Sequence, residues 1–358
     1  MVRTDGGERR VLVLNPTSGS EDHVDRVVEL AGDHGFDVRT TDHEGHAQEI
    51  VSEAGMEADL VAAAGGDGTV NEVVNGLVAA DRLEETTLGV VPTGTGNNFA
   101  SNVGIDGLEH AFEVMATGER RAIDVGLTNE RTFVNSCVSG ITAEASGATS
   151  SSSKGQFGVL AYVMSTIDTV ADFDPIPLCV EMGGDGDEED DRWEGEAMFV
   201  LVGNCRRFTT ARRAQANVED GRFEVTIVEH APTADLVGEA ALKRVLGRRS
   251  NAETASETGA ESGPANASSD HIVQRRTPSL SVTHRDGDPV EYSLDGEMLT
   301  ADRLTMRTRQ RVLTVAVGEG YRPDPDRDSG ADRERSRLTR SKATTESDSD
   351  STTSGQNH

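Results

Sequence analysis

The sequence predicts an N-terminal α/β domain built on a parallel sheet, followed by an antiparallel, β-rich domain. Two observations carry this. From Val11 to about Leu127 short apolar runs alternate with amphipathic stretches, and beyond about Asp124 the texture changes to longer runs with a period of two. Strands separated by helices need crossover connections and so form a parallel sheet covered on both faces. Alternation with a period of two between turn signals marks antiparallel strands. The 358 residues suffice for two cores.

In the first half, VLVL (11–14), FDV (36–38), DLVAAA (59–64) and LGVV (88–91) read as buried strands. The segments between them carry helical spacing, as in Val24, Val27, Val28 and Ala31. In the second half the strand candidates are RTFVNSCVSG (131–140), IPLCVEM (176–182), WEGEAMFVLVGN (193–204), GRFEVTIVE (221–229), SLSVTH (279–284), PVEYSLD (289–295) and RVLTVAVG (311–318). Helices are expected around 156–171 and 233–247. An acidic loop at 183–191, a polar insertion at 248–270 and a charged tail from 321 to 358 have compositions that bury too little to order themselves. The expected division is therefore 1–122, 123–320 with the insertion inside it, and the tail.

The formal net charge is −29, from 63 acidic and 34 basic residues, and only three of the basic residues are lysines: Lys154, Lys243 and Lys342. This composition suits a protein kept soluble in concentrated salt, where the Debye length falls to roughly 3 Å and like-charge repulsion is screened. It argues against a nucleic-acid partner, since no basic patch exists to release counterions from phosphates. Cys137, Cys179 and Cys205 are odd in number and widely spaced, as expected of small core residues in a reducing compartment. The N-terminus has no apolar signal region and no run of 18 apolar residues occurs. The reading is a cytoplasmic protein whose membrane contact, if it has one, is peripheral at the inner surface.

The chemistry concentrates in AAAGGDGTVNEVVNGL, Ala62 to Leu77. A buried strand runs into a glycine-rich turn, and Val70, Val73, Val74 and Leu77 then mark the apolar stripe of a helix. Thr69 and Glu72 have the spacing of a capping box, which predicts a helix start after the turn. Such a turn aims unpaired amides and a partial positive charge at one spot, a phosphate site. Asp67 would repel a bare phosphate, so its presence suggests Mg²⁺ between the two. LNPTSG (14–19) and VPTGTGNN (91–98) follow two other strands of the same sheet, and the carboxyl edge of an open α/β sheet is where ligands bind. No GxxxxGK[ST] is present, so phosphates would be held by amides, hydroxyls and metal.

NPTSG, GGDGTVNEVVNGL and PTGTGNNFA, followed by SLDGE (293–297), resemble the diacylglycerol kinase catalytic family, which includes bacterial lipid kinases and sphingosine kinases. The resemblance covers roughly residues 9 to 320, and AIDVGLTNERTFVNSCVSG (122–140) is similar to the family's passage into its second domain. It implies an α/β nucleotide domain, a β-rich sandwich and an active site between them. It further implies that ATP is bound by Asn15, Pro16, Thr17, Ser18 and Gly19, by Gly65, Gly66, Asp67, Gly68, Thr69, Val70 and Asn71, and by Thr95, Gly96 and Asn97. Thr41, in TDHEGHA, matches another nucleotide contact; the nearby His43 and His46 lack a third ligand and read as surface residues. NVEDGRF (217–223) resembles the family's turn for a structural Mg²⁺, with Asp220 as side-chain ligand and the carbonyls of Asn217 and Arg222 completing it. A plain Asp-Gly turn explains the same letters.

Transfer of a phosphoryl group to a hydroxyl also needs a proton acceptor. LDGE offers Asp295 and Glu297, facing the same way if the backbone there is extended. The resemblance assigns the glutamate as base, with Asp295 as metal or positioning partner; the alternative is a plain Asp-Gly hairpin. Bacterial lipid kinases often carry Asp, then Phe-Ala-Arg, after GTGN, where this chain has Asn98 and Ser101. The resulting expectation is a soluble, ATP-dependent lipid kinase working with Mg²⁺ at a membrane surface, as a monomer or homodimer. Its acceptor would be a diacylglycerol-like lipid, a long-chain base or, in a halophilic archaeon, an ether lipid. Competing readings are a kinase of a soluble acceptor related to NAD kinase and a non-catalytic binding protein.

Overall fold

The computed structural model describes residues 8–19, 23–53, 57–129, 131–140, 175–183, 191–207, 215–230 and 271–325. The helices expected around 156–171 and 233–247, the insertion, most of the acidic loop and nearly all of the tail lie outside them. The first lobe contains β1 (Arg10–Leu14), α1 (Val24–Asp33), β2 (Phe36–Thr40), α2 (His46–Ser52), β3 (Leu60–Gly65), α3 (Asp67–Ala79), β4 (Thr87–Pro92), α4 (Asn98–Asn102), α5 (Leu108–Thr117) and β5 (Glu119–Leu127). Each apolar run of the first half is a strand: β1 is parallel to β2 and β3, and β3 is parallel to β4. All six residues of β3, LVAAAG, are buried, as expected of a central strand flanked by other elements on both faces.

The second lobe continues through β6 (Thr132–Phe133), β7 (Ser136–Gly140), β8 (Ile176–Gly183), β9 (Asp191–Gly203), β10 (Phe223–Glu229), β11 (Ile272–Thr277), β12 (Ser279–His284), β13 (Val290–Leu294), β14 (Glu297–Ala301) and β15 (Arg303–Val317). Its strands pair antiparallel, β7 with β9 and β13, β8 with β9 and β12, and β10 with β9 and β11. One apolar core gathers Phe133, Tyr292, Phe223, Leu178 and Met306.

β15 joins the lobes. Its first half pairs antiparallel with β12, and its second half lies parallel to β4, with β5 antiparallel along much of its length. β5 runs across residue 122, and Leu313, Val315, Ala316 and Val317 pack into the core of the first lobe beside Ile123 and Val125. The β5–β15 register shifts between Arg309 and Leu313, and Arg311 there has φ of 51°. The buried Asp124 carboxylate holds this bulge, accepting from Arg311 N at 2.8 Å and Gly221 N at 2.6 Å.

β11, β14 and the first half of β15 escape the sequence reading because their alternation is masked by exposed Arg, Gln and Thr, as in IVQRRT and RLTMRTRQ. The expected helix start also moves: α3 begins at Asp67 with Gly66 as N-cap, so Thr69 lies inside the first turn. Glu72 accepts instead from the Ala47 amide at 3.1 Å, bracing α2 against α3.

Candidate active site

The three glycine-rich loops converge at the carboxyl ends of β1, β3 and β4. Asn15 N donates to Ala64 O at 2.9 Å, and Thr93 N donates to Gly65 O at 3.2 Å, so each loop leaves its strand tied to the next. Asn15 Oδ1 accepts from Thr17 N and Oγ1, while its Nδ2 donates to Thr69 Oγ1 at 3.3 Å. Approach is close enough to require glycine. A Cβ on Gly19, where φ is +65°, would stand 2.1 Å from Thr93 O, and one on Gly94 would stand 2.5 Å from Gly66 Cα. Asn97 closes the third loop, bonded through both ends of its amide to Gly94. Gly66 caps α3 at this junction with Gly68 and Val70 in its first turn, Thr17 and Thr95 are exposed beside it, and the Thr41 amide donates to Leu14 O at 2.9 Å. The structure thus brings together the residues of all four motifs, Ser18, Gly96 and Pro16 included.

Asp67 corrects one expectation. Its carboxylate is buried and takes four donors: Phe99 N at 2.8 Å and Asn135 Nδ2 at 3.1 Å on Oδ1, Asn98 N at 3.0 Å and Asn98 Nδ2 at 3.1 Å on Oδ2. It caps α4 across the fold, taking that helix's first free amides. Burial raises its pKa, against which these donors act. With both oxygens so engaged, its donor set does not fit direct coordination of Mg²⁺.

Asp295 has the same character. β13 and β14 form a hairpin through Asp295 and Gly296, with φ of 50° and 106°, the left-handed pair that a two-residue turn uses. The backbone is therefore not extended, and the two acids of LDGE part. Asp295 is buried and takes Val134 N at 2.6 Å, Asn135 N at 2.9 Å, Ser136 N at 2.7 Å and Asn71 Nδ2 at 2.9 Å. Burial pushes its carboxyl up to about 6 despite those donors. Glu297 remains partly accessible, with Arg131 Nη1 at 3.6 Å. Burial raises its pKa, followed by repulsion from Glu44; Arg131 opposes the rise, and Glu72 adds to it.

The seam between the lobes is built largely from asparagine. Asn71 and Asn75 donate to Thr132 O, Asn98 and Asn135 to Asp67, Asn102 to Cys205 O, and Asn204 to Asp124 O and Val134 O. Asn71, Asn75, Asn98 and Asn135 lie within the motifs, but nothing in those motifs marks Asn75 or Asn135, or Asn102 and Asn204 outside them, as seam residues; the available signal is a polar amide set within apolar runs, as in FVNSC and LVGNC.

Two further side-chain groups bear on metal binding. Asp220 receives Arg222 N at 3.0 Å and pairs with Arg276, which also meets Glu224 at 3.3 Å, while Asn217 Oδ1 accepts from Glu219 N. The Asp220 carboxylate, the side-chain ligand of the metal reading, is thus engaged by a guanidinium and an amide. Near Thr41, His43 and His46 do have a third neighbour, Glu49, with candidate ligand atoms within 4.8 Å. The two rings stack, however, and His46 Nδ1 accepts the Asp42 amide at 2.9 Å, which leaves the proton on Nε2 of the neutral ring. As placed, these side chains do not converge on an ion.

Among the described residues no helix is long and apolar enough to cross a membrane. The profile of the diacylglycerol kinase catalytic domain matches residues 9–128, and that of the YegS C-terminal NAD kinase beta sandwich-like domain matches residues 135–247. Diacylglycerol kinase of Bacillus subtilis is 32% identical over 240 residues, covering 64% of this chain and 77% of that protein. A probable lipid kinase YegS-like of an Enterobacter species is 29% identical, over 61% and 73% respectively. A solved Bacillus anthracis structure described as a diacylglycerol kinase superposes with a TM-score of 0.62 at 20% identity, over 89% of this chain and 100% of that one. The glycine loops in their order, the β-rich second lobe and the extent of these likenesses agree: the chain belongs to the diacylglycerol kinase catalytic domain family of lipid kinases.

Proposed function

We propose that this lipid kinase moves the γ-phosphoryl group of ATP to a hydroxyl of a diacylglycerol-like, ether-linked or long-chain-base lipid, with Glu297 as proton acceptor. The observation that carries the assignment is the contrast among the three acids. Asp67 and Asp295 are each buried under four donors, whereas Glu297 stands partly open with its charge balanced by Arg131. Burial and the neighbouring Glu44 raise its basicity toward what a general base needs.

In this reading the amides of the three loops and the exposed Thr95 hydroxyl cradle the triphosphate, and Mg²⁺ arrives with ATP as part of the substrate. The acceptor hydroxyl oxygen attacks the γ-phosphorus, its proton passes to Glu297, and the bond to the ADP oxygen breaks. Asp67 and Asp295 hold α3, α4 and the β6–β7 segment in register, so that base and phosphate loops keep their distance. Incubating labelled ATP with total lipid extract and identifying the product tests the acceptor class. Glu297→Gln should lose transfer by about 10²–10⁴-fold while still binding ATP. Transfer at the wild-type rate by that variant removes the base assignment, and label appearing only in a soluble product removes the lipid acceptor.

A further inference from the structure

Asn98 stands where the lipid kinases this chain resembles often carry aspartate, and its two ends are differently occupied. Its Nδ2 donates to Asp67 Oδ2 at 3.1 Å, and its Oδ1 accepts from Arg206 Nη1 at 3.2 Å. Acid, amide and guanidinium therefore form one chain across the seam. The order is chemically fixed, because the amide has one donating and one accepting end. Arg206 follows β9 in the second lobe, where it bridges to Gln215, and the preceding residue's carbonyl, Cys205 O, accepts from Asn102 Nδ2 at 3.1 Å. Both side-chain ends of α4 thus dock on residues 205 and 206. A second aspartate at 98 would turn an oxygen toward Asp67 and require a proton or cation between them; an asparagine backed by arginine makes the bridge without either.

We propose that Arg206 is a positioning residue for phosphoryl transfer, acting through Asn98 to keep Asp67 ionised and the first amides of α4 docked on it. This rests on the reading that the loops after β1, β3 and β4 hold ATP. Among the described residues, the charged and titratable groups around Asp67 are Arg206 and the Cys205 thiol from the segment after β9 and, one turn further along α3, Asp295 on Asn71. Removing the guanidinium makes the charged form of Asp67 harder to maintain, so acidification should release α4 and the phosphate loops earlier.

The test measures ATP affinity by calorimetry from about pH 4.5 to 8 in wild type, Arg206→Gln, Arg206→Lys, Asn98→Ala and the double variant. In R206Q the pH at which affinity is lost should rise by about one unit, and R206K should restore most of it. Asn98→Ala should show the same rise, and adding R206Q to it should change little more, since the two act as one unit. Asn98→Ala keeps the test readable if R206Q does not fold. An unmoved midpoint in both variants, or independent additive effects, overturns the proposal. These readouts involve no lipid, so a wild type that binds ATP without phosphorylating lipid would remove the kinase reading and leave this test intact.

Discussion

Asp295→Asn isolates the electrostatics of the seam. The substitution keeps the shape of the side chain and removes its titration. The carboxyl is raised from its ordinary 3.8 to about 6, chiefly by burial. A raised folded-state pKa means that the folded protein binds the proton more tightly than the unfolded chain between those two values. The associated stability is fully present below about pH 3.8 and is lost as pH rises through about 6. Two pH units and a little more, at 1.36 kcal/mol each, give about 3 kcal/mol. Asparagine has no such dependence. It also sets an NH₂ group against two of the four donors, a pH-independent cost of about 2–6 kcal/mol for two buried donors left unsatisfied. Urea unfolding of both proteins from about pH 4 to 8 should therefore show a destabilisation about 2.4 kcal/mol larger at the acid end. Comparing the two proteins cancels the titration of the other carboxylates. A difference that stays flat with pH, or grows toward alkaline pH, refutes the picture of Asp295 as a desolvated hub.

Other expectations follow from the same geometry. Gly94→Ala drives a Cβ against the Gly66 backbone and should cost about 1–3 kcal/mol of stability and at least tenfold in ATP affinity; calorimetric binding near the wild-type value would contradict the close contact of the loops. Because Arg276 supplies the cation at the 217–222 turn, chelation with EDTA should move the melting temperature by less than about 2 °C, and a larger drop would restore the metal reading. Glu297→Gln should leave melting nearly unchanged while abolishing transfer, since its carboxylate is not part of the seam. Sedimentation with anionic lipid vesicles should strengthen as salt rises from about 0.1 M to several molar, because a chain of net charge −29 is repelled by such surfaces until screened; weaker binding in high salt would argue against a peripheral approach driven by apolar contact.

Motif order made the loops legible because glycine-rich turns between buried strands and helices place strict demands on local sequence. Glycine is required where chains touch, and hydroxyl and amide residues cluster after buried strands, so NPTSG, GGDGT and PTGTGNN announce themselves. The roles of the acids were not local in the same way. Asp67 finds its donors 31, 32 and 68 residues away, and Asp295 finds Asn71 224 residues away. A sequence window contains the carboxylate but not its partners, so nothing local announces that each of these acids is buried under four donors. Glu297 differs from Asp295 only by the turn between them: the left-handed pair Asp295–Gly296 sends one side chain into the seam and leaves the other at the opening. The Asp-Gly hairpin and the catalytic DGE, weighed as alternatives from sequence, are thus one device in this reading. The hairpin's own geometry separates an acid that fixes the lobes from an acid left able to take a proton. A chain rich in carboxylates also gains from seams made of asparagine: uncharged amide bonds are screened little by salt, while ion pairs such as Arg26–Glu29 weaken in it. In the proposed reading the alignment of Glu297 with the glycine-rich loops is then carried by contacts that the ionic environment hardly touches, and the Arg206 guanidinium bonded to Asn98 is one place where charge can still disturb it.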